Sequence, residues 1–349
     1  MTSRLAGTFR RAGEADAAGT SPLRGRVAAV LGASEEAMHA VAALPARGRS
    51  PAVVLAALHD LALDGRAPTL AAALAADDGD AAAAAAVDAL LHLTGAVADL
   101  VTRRRARTDG TGPCAVLYPA VAEAARRAGA DAVGLVDVGC VAGLRLLVDR
   151  VGIAYGDGRR LGDPSSPVQL SASVVGPRPV PATAVPPVVA RIGVDRDPLD
   201  VTDADDARWL RACLPPERTA RLEAELALAA AAPPLLLRGD AVDVLPDALA
   251  RVPADVLPVV TTTWTLSALS PGRRERFRHR LEEAAAGRAV AWVSVEGVGV
   301  APGVPTLGDR PASGHSTVGV AVGDRSPLRA EAVGRCWSRG RTLSWLGEP

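Results

Sequence analysis

The strongest constraint on the fold is a change of pattern near residue 131. Upstream, the periodic stretches are helical. Downstream, short β-branched or apolar runs alternate with amphipathic stretches of helical period. The runs fall at residues 132–138, 188–194, 234–237, 255–261 and 289–293. Between them lie helical patterns at 142–150, 203–231, 246–251 and 271–286. Apolar runs with no polar face suit strands buried on both sides, and their alternation with helices predicts a mainly parallel sheet with helices on both faces. A length of 349 residues suggests about two domains. The expected organisation is an all-helical region over 1–130 followed by an open α/β domain over 131–349.

Local punctuation supports the division. Ser21-Pro22, Ser34 before Glu35-Glu36, and Ser50-Pro51 are N-cap signals, two of them with proline at the first helical position. Residues 80–105 predict one long alanine-rich helix and 113–128 another, because alanine is the best helix former. Pro215-Pro216 splits the pattern at 203–231, with Glu217 in the new first turn. Ser270-Pro271 opens a later helix that Gly287 closes. Residues 152–187 carry seven prolines (164, 167, 177, 179, 181, 186 and 187). So long an irregular stretch is uncommon in a compact domain unless it works, and it reads as a hairpin-containing insertion that roofs the site. Runs near 317–322, 333–337 and 342–345 predict antiparallel strands at the sheet edge.

Composition narrows the function classes. Lys+Arg and Asp+Glu are both 39, which argues against nucleic-acid or acidic-membrane partners held by bulk charge. All the basic residues are arginine, which fits a GC-rich coding bias better than a functional choice. Aromatics at 3% leave little for base stacking. The four cysteines (Cys114, Cys140, Cys213, Cys336) include no C-x-x-C pair, and the histidines (39, 59, 92, 279, 315) form no ligand motif. No metal is expected. The N-terminus lacks the apolar core of a signal peptide and no apolar run is long enough for a membrane helix, so a cytoplasmic protein is expected.

The most informative segment runs Leu135-Val136-Asp137-Val138-Gly139-Cys140-Val141-Ala142-Gly143-Leu144. An apolar strand ends in an acid, and a glycine turn then opens the next element, the place where open α/β sheets bind ligands. Val141 stands where a dinucleotide fingerprint needs its second glycine, and the ribose acid belongs about 20 residues on, whereas the next strand-end acid, Asp195, comes after the insertion, so NAD is disfavoured. Asp195 ends the second run and Gly239-Asp240 the third. Strand–acid–x–G–x–x–x–G resembles the first motif of class I S-adenosylmethionine methyltransferases. In that fold the acid at Asp195 would hold ribose hydroxyls, and Asp240 would lie beside the adenine. The bland alternative is a tight turn with no ligand, and acids that merely cap the following helices.

The chain also resembles, over nearly its whole length, the bacterial family named domain of unknown function 2332. The residues carrying the likeness are Ser21-Pro22-Leu23, 136–147, 162–168, 191–210 (with Asp195, Pro198-Leu199-Asp200 and Arg208-Trp209-Leu210), Arg238-Gly239-Asp240, Leu245-Pro246 and 294–297. The resemblance implies a Rossmann-like, methyltransferase-like domain behind a helical N-terminal region, with no established substrate, and the likeness to the class I methyltransferase motif implies S-adenosylmethionine as cofactor and a small molecule of unknown identity as acceptor. Asp137, Gly139, Gly143, Asp195 and Asp240 become the cofactor-binding set. The family pattern differs here at Thr108-Asp109-Gly110, Thr262, Val295 and Asp197, where other polar residues are usual.

Two further acids are candidates for catalysis. Asp163, in the insertion, either meets substrate or holds an Asx turn. Glu296, after the last parallel run, serves as a base or is a solvated strand-end acid. Cys140 has no partnering histidine at a recognisable spacing and reads as a small filler. Two functions remain open: an S-adenosylmethionine-dependent methyltransferase, or a non-catalytic member of that fold serving as a binding or regulatory module. The oligomeric state is not legible.

Overall fold

The computed structural model describes residues 1–19, 21–216 and 219–347. The chain opens with α1 (Thr2–Gly19), α2 (Pro22–Ala33), α3 (Glu35–Ala43), α4 (Pro51–Leu63), α5 (Pro68–Ala75), α6 (Gly79–His92) and α7 (Thr94–Arg103). Then come α8 (Cys114–Ala128), β1 (Val133–Val138), β2 (Gly152–Tyr155), β3 (Arg160–Gly162), β4 (Gln169–Val174) and β5 (Val188–Asp195). The remainder is α9 (Ala204–Cys213), α10 (Thr219–Ala230), β6 (Leu235–Arg238), α11 (Leu245–Ala250), β7 (Leu257–Thr263), α12 (Pro271–Gly287), β8 (Val290–Gly297), β9 (Ser316–Gly323), β10 (Arg329–Trp337) and β11 (Thr342–Trp345). The chain divides into two compact units, Met1–Thr108 with Thr202–Glu223, and Asp109–Val201 with Ala224–Pro349.

The first unit is helical. Ser21 and Ser34 accept the amides of Arg24 and Ala37, both at 3.1 Å, as N-caps should. Ser50 makes no side-chain cap bond, and Pro51 alone starts α4. The single helix expected over 80–105 is two, α6 and α7, bent by 88°. The Thr94 hydroxyl donates to the carbonyls of Leu90 (2.7 Å) and Leu91 (3.1 Å), drawing off acceptors that a continuous helix would use. Among the described residues no single helix is long and apolar enough to cross a membrane. The prolines at 215 and 216 do separate α9 from α10, while Glu217 lies outside the described residues. Arg208 of α9 pairs with Asp60 of α4, and Trp209 donates to the Arg105 carbonyl at 2.9 Å.

The second unit is a mixed α/β structure around one mostly parallel sheet, ordered β3-β2-β4-β11-β10-β9-β8-β7-β1-β5-β6 among the described residues. Strands β6, β5, β1, β7 and β8 are mutually parallel neighbours. One face carries Val133, Leu135, Val259, Val293 and Val318 against α8, which is buried along most of its length. The other carries Val136, Val138, Val260 and Trp292 against Leu245 and Ala248 of α11 and Phe277 and Leu281 of α12. Burial on both faces explains why β1, β7 and β8 read as nearly unbroken apolar runs.

Three expectations need correcting. The helix expected at 142–150 is only a four-residue 3-10 turn, Leu144–Leu147, with every residue buried. Its side chains are wanted on all sides at once, so an amphipathic helix does not form there. The insertion at 152–187 does contain a hairpin, β2–β3, but β2 and β4 pair in parallel and β4 joins β11. It therefore extends the sheet, and five strands separate β4 from β1 in the order above. The antiparallel strands β9, β10 and β11 consequently lie within the sheet and not at its edge.

Candidate functional site

The C-terminal end of β1 is a turn that side chains rarely tolerate. Gly139 (φ +75°), Val141 (φ +56°) and Gly143 (φ +77°) all take left-handed backbone. A Cβ on Gly139 would lie 2.5 Å from the Thr265 hydroxyl, and one on Gly143 would lie 2.9 Å from Pro234. The space above both glycines is filled by the chain itself. Gly139→Ala is expected to lower stability by about 1–3 kcal/mol, read by urea unfolding, since it adds left-handed strain and a contact with Thr265. An unchanged midpoint would show that the turn relaxes freely.

The turn is joined to the next two strand ends. Gly139 donates to the Val194 carbonyl at 2.7 Å, and Val141 donates to the Asp195 carboxylate at 3.1 Å. The other carboxylate oxygen of Asp195 accepts the Asp197 amide at 2.9 Å, and its carbonyl accepts the Gly239 amide at 2.8 Å. Asp195 is buried, at 4% exposure. Asp240 ion-pairs with Arg196 and Arg273 and accepts the Val242 amide at 2.9 Å. Burial works against its charge, but Arg196, the Val242 amide and Arg273 together hold its carboxyl below the ordinary value. Asp137, Gly139, Gly143, Asp195 and Asp240 thus share the C-terminal ends of three adjacent strands.

Glu296 belongs to the same neighbourhood. One of its oxygens accepts the amides of Thr265 (2.9 Å) and Leu266 (3.0 Å), and the Thr265 hydroxyl donates to the Val138 carbonyl at 3.0 Å. Its Oε2 is buried without a hydrogen-bond partner among the described residues. Burial pushes the carboxyl up to about 7 against the opposing pull of those two amides, Arg274 and Arg145. Asp163 does not join the group. Its carboxylate accepts the Ser165 amide (2.8 Å) and hydroxyl (2.6 Å), an Asx turn beside β3, and the Ser165 hydroxyl and amide hold it below its ordinary value. It does not point into a site under a roof, because the insertion that carries it is built into the distant part of the sheet.

At the centre of the site Asp137 is joined by two residues that the strand-end pattern does not mark, Arg145 and Asp109. Arg145 lies 3.0 Å from Asp137 and 3.2 Å from Asp109, and it donates to the Gly139 carbonyl at 2.6 Å. Asp109 in turn accepts the amides of Ala142 (3.0 Å) and Leu144 (3.2 Å), and the Thr261 hydroxyl donates to Asp137 at 2.9 Å. All three charged side chains are buried. Burial drives both carboxyls up, opposed chiefly by Arg145. Burial alone would lower the guanidinium, but Asp137 and Asp109 outweigh it and hold it above its ordinary value. The signal for Arg145 was a lone charge in the apolar run Leu144-Arg145-Leu146-Leu147-Val148, which calls for a buried partner. Nothing local marks Asp109.

Cys140 packs where a side chain on Gly193 would stand, 2.6 Å from that Cβ, and burial pushes its thiol well up, so it is no nucleophile at neutral pH. Among the described residues no cluster of three or more His, Cys, Asp or Glu side chains could hold a metal ion. In comparisons with known proteins, the model of a family described as "Uncharacterized protein conserved in bacteria (DUF2332)" matches residues 6–345, and the chain belongs to that family. No curated protein and no solved structure matches it.

Proposed function

We propose that this member of the DUF2332 family binds S-adenosylmethionine at the C-terminal ends of β1, β5 and β6 and transfers its methyl group to a small molecule. The observation carrying the reading is the hydrogen bond between Asp195, the acid closing β5, and the Val141 amide in the glycine turn that closes β1. It comes with five parallel neighbours in the order β6-β5-β1-β7-β8. That is the arrangement in which an acid at the second strand meets the hydroxyls of a nucleoside beside the first.

The residues fit such a ligand unevenly. Asp195 accepts the Val141 and Asp197 amides on its two carboxylate oxygens, and a buried carboxylate at a strand end is the kind of acceptor that ribose hydroxyls would meet. When bound, the cofactor would supply a methyl group activated by its sulfonium. This chain's part would be positioning: the strand ends hold the reactants and exclude water. Glu296, held near neutrality, would offer Oε2 as a proton acceptor for a substrate that must lose one.

A second reading has its own support. The Ala142 and Leu144 amides are engaged by Asp109, and the Gly139 carbonyl by Arg145, so the turn's polar groups are satisfied internally. That favours a non-catalytic binding or regulatory protein built on the same fold. Calorimetry and thermal shift with S-adenosylmethionine, S-adenosylhomocysteine and NAD separate the two. A sulfonium ligand at 100 times its dissociation constant is expected to add about 2.7 kcal/mol of stability. Asp195→Asn should weaken it by about 2 kcal/mol, near thirtyfold. Silence from both adenosyl ligands would sink cofactor binding and leave the second reading.

A further inference from the structure

Aromatic residues are scarce in this chain, at 3%, yet two of its tryptophans lie at the end of the sheet that carries the candidate site. Trp264 directly follows β7, and Trp337 ends β10; β10 is antiparallel to β9 and β9 to β8, so β10 runs in the direction of β7 and both residues lie at the same end. Between them, at the start of β9, the Ser316 hydroxyl accepts from the Trp264 indole at 2.8 Å. His315, its neighbour, packs on Trp337 with ring centroids 5.4 Å apart. Arg339 lies over the Trp264 ring, 5.7 Å from its centroid. His315 is fixed by Asp309 at 3.1 Å, and Asp309 also accepts from Arg335 at 2.6 Å.

Two features mark the patch as more than packing. Both tryptophans are only half-buried and Arg339 is exposed. The backbone is also strained: Trp264 (φ +52°), Ser338 (φ +50°) and Arg339 (φ +55°) occupy a region that bulky residues avoid. Such strain persists only where surrounding structure holds it, and it gathers at binding sites. The patch also borders the glycine turn, because Thr265, next to Trp264, donates to the Val138 carbonyl.

We infer that Trp264, Trp337 and Arg339 form a binding site for flat aromatic carboxylates, the ring lying against the indoles and the carboxylate on the guanidinium. Indole faces favour planar rings. A guanidinium fork matches a carboxylate, and among the described residues no acid pairs with Arg339. The inference deepens the methyl-transfer reading by naming the class of acceptor. It rests on that reading for the site's use, but not for the binding itself.

The test is calorimetry of the full chain with 2-naphthoate, which is flat and anionic. The comparators are 2-naphthalenemethanol, flat and neutral, and cyclohexanecarboxylate, charged but not flat. Saturable binding of 2-naphthoate is expected, with cyclohexanecarboxylate clearly weaker. Trp337→Leu should weaken both naphthalenes, and Arg339→Gln should weaken 2-naphthoate by roughly tenfold while leaving 2-naphthalenemethanol unchanged. Arg339 is exposed, so its variant should fold even if Trp337→Leu does not. The proposal is overturned if 2-naphthoate gives no saturable heat, if cyclohexanecarboxylate binds as well, or if Arg339→Gln binds like the wild type. A parallel titration with S-adenosylhomocysteine keeps the outcomes apart. Its failure beside intact naphthoate binding removes only the cofactor reading, and the reverse removes only this one.

Discussion

Replacing Arg145 by methionine is expected to cost about 3–5 kcal/mol, because it leaves Asp109 and Asp137 buried without their shared cation. For a unit of this size the melting temperature should fall by roughly 10 °C. Methionine keeps much of the volume, so the loss reports the charge and not a cavity. The wild-type guanidinium also holds the Gly139 carbonyl, and the turn should loosen with it. Adding Asp109→Asn or Asp137→Asn to the Arg145→Met background should recover part of the loss, with a coupling of about 1–3 kcal/mol in the double-mutant cycle. Additive losses, or a single variant within about 1 kcal/mol of wild type, would show that the three groups do not act as one buried cluster.

The second large effect is a change of stability with pH at Glu296. Its carboxyl is raised from 4.5 to about 7 by burial. The folded protein therefore holds this proton more tightly than the unfolded chain does. The sign follows: the contribution is fully present below about pH 4.5 and is lost as pH rises through about 7. The gap, 7 minus 4.5, corresponds to a loss on the order of 3 kcal/mol. Glu296→Gln keeps an oxygen for the Thr265 and Leu266 amides but carries no charge. The variant should match wild type near about pH 5 and exceed it near about pH 9. Burial also raises Asp109 and Asp137, so some slope of the same sign should survive in it. Parallel stability curves for the two proteins would exclude Glu296 as the titrating group.

Much of this arrangement is legible in the chain, and the legible part is local. The apolar runs at 132–138 and 255–261 correspond to β1 and β7, because a strand buried on both faces is apolar nearly throughout, and the run at 188–194 corresponds to β5, whose second half is buried. Ser21 and Ser34 cap helices since a short polar side chain reaches an orphan amide two or three residues ahead. The acids at 137, 195 and 240 come together because parallel strands in sequence deliver their ends to one side of a sheet.

What the sequence could not determine is whatever depends on partners distant along the chain. Residues 142–150 have a helical pattern, but Arg145 is drawn between Asp137 and Asp109, and its neighbours are buried on every side. Asp109 sits 33 residues from the Ala142 amide it holds, with no periodicity or motif to announce it. The proline-rich stretch shows its turns in its composition. That β4 pairs with β11, more than a hundred residues on, is marked by no local pattern in either strand. Strand identity and capping are properties of a few adjacent residues. Pairing of edges and of buried charges is settled by competition among all the groups in the folded chain, so only the tertiary structure decides it.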